Sequence, residues 1–115
     1  MQLFQPLFVL LSLLGFSSAC LILDGYMDSG RKNFRGTLVD NGRKVCEWKW
    51  GPLHNPSNTF ATCLPGFAAY VTPGAKITGY SNNGKEFRFE NTVSSIPAYP
   101  GLPINYTVDA KNYDC

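Results

Sequence analysis

Asn41-Gly42 sits between two runs of β-prone residues, Phe34–Asp40 and Arg43–Trp50, and it restricts this chain more than any other stretch. A two-residue type I′ turn needs φ > 0 at both central positions, which Asn and Gly tolerate. A two-residue loop sets the register of the hairpin around it. Asp40 is expected opposite Arg43, Leu38 opposite Val45, Thr37 opposite Cys46 and Arg35 opposite Trp48. Side chains alternate along a strand, so Cys46, Trp48 and Trp50 are expected on one face. Both tryptophans of the chain and one of its four cysteines then share that face. A disulfide at Cys46 would draw the face inward and bury Trp48. Trp50, at the strand end before Gly51-Pro52, would stay more exposed.

A second hairpin is expected around Asn83-Gly84. It pairs Tyr80 with Phe87 and Thr78 with Phe89 on an apolar face, leaving Ser81, Glu86, Gly79, Arg88, Ile77 and Glu90 on the other. Further strands are expected at Cys20–Tyr26, Thr59–Cys63, Phe67–Thr72 and Asn105–Asp109. Turn signals separate them at Asp28-Ser29-Gly30, Pro52 to Asn58, Pro65-Gly66 and Pro73-Gly74. Residues 93 to 103 carry three prolines and read as an irregular loop. No stretch after residue 19 has helical periodicity. The fold class expected is all-β: a small antiparallel β-sandwich or barrel of six to seven strands with two disulfides.

The first 19 residues stand apart from this domain. Leu7 to Phe16 is an apolar run, followed by the small residues Ser17-Ser18-Ala19, which reads as a signal peptide cleaved before Cys20. The run is too short to span a bilayer comfortably. Residues 20–115 then form one secreted, extracellular β domain. Its net charge is +2 with the signs interspersed, so there is no basic block for nucleic acid and no second apolar run for a membrane.

Cys20, Cys46, Cys63 and Cys115 all follow the cleavage site, and an even count in a short exported chain reads as two disulfides. Four cysteines allow three pairings. Zinc is the competing use, but no Cys-x-x-Cys pair is present, and no metal or cofactor is expected. The catalytic inventory is thin. His54 is the one histidine and lies in a Pro-rich loop, and an acid–base role needs a positioned partner. Glu86 and Glu90 fall together on a solvated face. No nucleophile elbow or phosphate-binding loop occurs, so an enzyme is not expected.

Binding is the better-supported class. Trp48, Trp50 and Arg35 are the candidate binding residues. Two indoles on one face could stack against sugar rings, and Arg35 opposite Trp48 could add a cation–π contact. The competing fate of both indoles is core packing beside the Cys46 disulfide. Asn105-Tyr106-Thr107 is a glycosylation sequon, whereas Asn55-Pro56-Ser57 is not.

The leader ending at Cys20, the spacing to Cys46, Cys63 and the C-terminal Cys115, and the short strands together resemble small cysteine-rich secreted proteins of plant-associated fungi. Within these the layout is similar to the MAX group of effectors and host-selective toxins, which are six-stranded β-sandwiches. The resemblance implies a secreted virulence or interaction protein without enzymatic activity that binds a host protein. It also implies an interlaced pairing, Cys20–Cys63 and Cys46–Cys115. The alternative function is a carbohydrate- or cell-wall-binding module that uses Trp48 and Trp50 on a polysaccharide.

Overall fold

The computed structural model describes residues 19–96 and 105–113. The expected leader, apart from Ala19, and Cys115 lie outside them. Ten strands form: β1 (Leu21–Met27), β2 (Asn33–Asp40), β3 (Arg43–Pro52), β4 (Thr59–Phe60), β5 (Thr62–Cys63), β6 (Phe67–Val71), β7 (Ile77–Asn82), β8 (Lys85–Glu90), β9 (Thr92–Ile96) and β10 (Asn105–Asn112). They make two antiparallel sheets, a larger one in the order β5-β3-β2-β1-β10-β9 and a smaller one in the order β4-β6-β7-β8. Buried side chains of both sheets form one core, so the all-β sandwich expectation holds.

Both Asn-Gly turns form as expected. Asn41 and Gly42 have φ of 49° and 80°, and Asn83 and Gly84 have 47° and 91°. The second hairpin keeps its expected register throughout, with Tyr80 opposite Phe87 and Thr78 opposite Phe89.

The first hairpin does not. Asp40 faces Arg43 and Val39 faces Lys44, but Leu38 then faces Cys46, Thr37 faces Glu47 and Gly36 faces Trp48. Val45 is the extra residue of a β-bulge, and its neighbour Cys46 is buried with it. Strict alternation would have put one of the two outside; the bulge turns both inward. A second shift follows, since Phe34 faces Gly51, so Lys49 and Trp50 together oppose Arg35.

Three other expectations are corrected. The run Thr59–Cys63 is not one strand. Thr59 and Phe60 pair with β6 in the small sheet, whereas Thr62 and Cys63 pair with β3 in the large one. The chain crosses between layers at Ala61, as a sandwich requires. Thr92–Ile96 is a strand on the sheet edge rather than irregular loop, and the rest of that loop lies outside the described residues. The third correction concerns the bridges. Cys46 is bonded to Cys63, its direct register partner, with Cα atoms 4.1 Å apart. That excludes both interlaced pairs. It is the disulfide whose two ends both lie among the described residues; Cys20 is also disulfide-bonded, and no described cysteine is free.

The core is organised around Phe34. Its ring lies over Gly25 and Gly36, which face each other across β1 and β2, and a Cβ at Gly25 would sit 2.5 Å from its Cε1. Trp48 packs on Phe34 edge-on, with ring centroids 5.7 Å apart. Its indole N–H donates to the Thr59 carbonyl at 3.1 Å, joining the large sheet to the small one. The Tyr80 hydroxyl makes a second link by donating to Asp40 at 2.6 Å. Burial first, and then this bond to a carboxylate, push the Tyr80 phenol far above its ordinary pKa. Thr78, the buried polar side chain of the core, donates to Asn91, whose amide donates to the Ala75 carbonyl.

Trp48 is 5% exposed and Trp50 is 51% exposed. Trp48→Ala is expected to lower unfolding stability by about 3–5 kcal/mol, as for a buried indole. Trp50→Ala should change it by about 0.5 kcal/mol or less. Urea unfolding followed by far-UV circular dichroism measures both. Peptide mapping without reduction is expected to release residues 46 and 63 as one linked species; a Cys20–Cys63 species would contradict the register of β3 with β5.

Candidate functional site

Inward residues of β1 and β2 are settled by the core: Leu21, Leu23, Met27, Phe34 and Leu38 are buried. By the period of two, Ile22, Asp24, Tyr26, Arg35 and Thr37 therefore face outward. Strand register places them in rows across the large sheet. One row runs Glu47, Thr37, Asp24, Asp109, Thr92. The next runs Arg35, Tyr26, Thr107, Ser94, with Trp50 beside Arg35.

Trp50 belongs to this outer face because of the second bulge. Its ring meets Tyr26, with centroids 5.9 Å apart at an interplanar angle of 41°. The Arg35 guanidinium lies over the same Tyr26 ring, 5.1 Å from its centroid. The expected Arg35–Trp48 contact does not form, since Trp48 is inside and opposite Gly36. Nor do the two tryptophans share a face. Cys46 and Trp48 point into the core, and the residue inserted before Gly51 turns Trp50 outward. What the structure brings together is Trp50, Tyr26 and Arg35: an exposed indole, a half-buried phenol and a cation. Tyr26 is the member that the sequence reading missed. Its signal was present, because Leu21, Leu23 and Met27 mark the opposite face of the same strand.

The acidic row lies alongside. Asp24 and Asp109 are direct cross-strand partners, and like charges so placed repel. Burial first, then the hydrogen bond and the charge of Asp24, raise the Asp109 pKa, while Lys111 pulls it partly back. Between the two rows, Asp24, Glu47 and Thr37 on one side and Tyr26 and Arg35 on the other border a groove of about 290 Å³. Glu47 is also ion-paired with Lys44 at 3.5 Å.

The remaining candidates are dispersed. Asn105 begins β10 opposite Ile96, half-buried, with its sequon extended along the strand. His54 is in the exposed loop after β3, where its backbone N–H donates to the Thr59 hydroxyl. Among the described residues no group of three or more His, Cys, Asp or Glu is placed to hold a metal ion. No described helix is long and apolar enough to cross a membrane. Compared with known proteins, the chain matches no family model, no curated protein and no solved structure at a significant level.

The carboxylates give the fold opposing responses to pH. Asp28 accepts from the Asn33 side chain and from the backbone N–H groups of Lys32 and Asn33, which lower its pKa. Its stabilisation is present above the ordinary value of 3.8 and is lost as pH falls through its lower folded value. Asp109 acts in the other direction. The folded state holds that proton more tightly than the unfolded chain, so stability falls as pH rises from 3.8 through the raised value. Asp24→Asn is expected to raise stability at pH 7 and to flatten the fall above pH 3.8. Thermal melts of both proteins from pH 3 to 7 (about one-unit steps) measure this. An unchanged profile would show that the two carboxylates do not interact.

Proposed function

We propose that this chain is a secreted, non-enzymatic interaction protein of the effector type, and that it binds a protein partner through the outer face of its large sheet. The observation that carries the reading is the cluster of Trp50, Tyr26 and Arg35, with Trp50 half in solvent. Trp, Tyr and Arg are the residues enriched where a few side chains supply most of a protein–protein binding energy. They stand here on a broad sheet face whose polar row, Asp24, Thr37, Glu47 and Asp109, can serve as the hydrogen-bonding rim of an interface. The leader read at residues 1–19 and the Cys46–Cys63 bridge support export.

A polysaccharide platform made of Trp48 and Trp50 has no support, because the two rings face opposite sides of β3. The test uses oxidised protein spanning residues 20–115, immobilised and exposed to extracellular fluid from plant tissue. Recovered proteins are compared with those bound by Trp50→Ala and by Arg35→Glu. Truncating such an anchor typically costs about 2 kcal/mol or more, roughly 30-fold in affinity. The expected outcome is a partner whose binding falls by about that factor in both variants. A partner held equally by wild type and both variants would remove this face from the interaction.

A further inference from the structure

The outer face of the small sheet carries a second arrangement, built on a glycine. Phe60, Tyr70, Gly79 and Arg88 form one row across β4, β6, β7 and β8. Tyr70 lies across the sheet over Gly79. A Cβ at Gly79 would sit 2.2 Å from Cε1 and Cζ of that ring, so the ring fills the space a side chain would take. Tyr70 is half-buried, with the sheet beneath it and solvent above. Phe60 stands beside it with centroids 5.9 Å apart and planes inclined at 59°, and is itself 72% exposed. The next row supplies Ser81 opposite Glu86. Together these residues border an open groove of about 540 Å³, within the range of small-molecule sites.

Phe60 keeps one side of its ring against Tyr70 and leaves the other open to solvent at the edge of the groove. Its placement as a wall beside a reclining phenol suits a ligand with one apolar face. The groove is shallow, so the other side of that ligand remains in water and must be polar. Arg88 and Glu86 bring opposite charges that balance, which favours a neutral ligand over an anion or a cation. Both also offer hydrogen bonds, as does the Ser81 hydroxyl. A pyranose ring has these properties: a face of C–H groups that packs on an aromatic ring and a rim of hydroxyls for Arg88, Glu86 and Ser81.

We infer that the outer face of the small sheet is a carbohydrate-binding site for a neutral pyranose, with Tyr70 as the stacking platform and Phe60 as its wall. This site is separate from the Trp50 face, and neither depends on the other. Isothermal titration of the oxidised protein with three neutral hexasaccharides tests it: β-1,4-linked glucose, β-1,3-linked glucose and β-1,4-linked N-acetylglucosamine. At least one is expected to bind, with affinity falling about tenfold or more in Tyr70→Ala and in Phe60→Ala. Gly79→Ala is expected to weaken it as well, since the new methyl displaces the Tyr70 ring without deleting it. Trp50→Ala should bind as wild type does.

No binding to any of the three sugars would overturn the proposal. So would affinity unchanged in Phe60→Ala, a surface substitution that leaves the core intact even if Tyr70→Ala fails to fold. Loss of sugar binding in Trp50→Ala alone would move the site to the large sheet and likewise overturn it.

Discussion

The pairing of β2 with β3 carries two bulges, and the rest of the molecule depends on where they fall. The first turns Val45 and Cys46 inward together. Cys46 then reaches Cys63 on β5, and that bond holds the chain at the point where it leaves one sheet for the other. Trp48, two residues on, reaches across the core to the Thr59 carbonyl on β4. One irregular strand therefore anchors both halves of the crossover. The second bulge ends this inward run and sends Trp50 outside, beside Tyr26. A hairpin without bulges would have left one of Val45 and Cys46 in water and moved the indoles to one side.

Glycine is used twice for the same physical purpose, with opposite results. Inside, Gly25 and Gly36 clear a floor for Phe34, whose ring would collide with any Cβ at either position. Outside, Gly79 clears a floor for Tyr70. An aromatic ring laid over a cross-strand glycine gains van der Waals contact with backbone. In the core that contact is covered by Trp48 and adds to stability. On the small sheet it is left open, and the ring becomes a surface that another molecule can cover. The two outer faces thus differ in chemistry. The large sheet presents an indole and a guanidinium beside repelling carboxylates, and the groove of the small sheet presents a phenol and a phenyl ring beside one carboxylate, Glu86, and one guanidinium, Arg88.

Much of this was legible from local rules. Asn41-Gly42 and Asn83-Gly84 each specify a turn by their tolerance of positive φ, and both turns form where expected. The apolar alternation of Tyr80, Thr78, Phe87 and Phe89 predicts the pairing of β7 with β8, because one face of that hairpin had to be buried. The burial of Trp48 and the exposure of Trp50 also follow the expectation, although the mechanism differs. A shared face was expected to hold both indoles, with Trp50 exposed only by its place at the strand end. A bulge put it on the other side.

The sequence by itself determined the class of fold, the two tight turns and the partition of most strands into buried and solvated faces. These depend on φ preferences and on a side-chain period of two, which act within a few residues. The tertiary structure decided the rest. Bulges depend on which side chains the opposite layer can accommodate, so Val45 and Cys46 settled a register that Asn41-Gly42 only began. The choice of Cys63 for Cys46 required β5 to dock against β3, and that required the crossover at Ala61. The candidate sites were hidden for the same reason. Trp50 with Tyr26 and Arg35, and Phe60 with Tyr70 over Gly79, are each gathered from three different strands, and only the exact register of their pairing makes them neighbours.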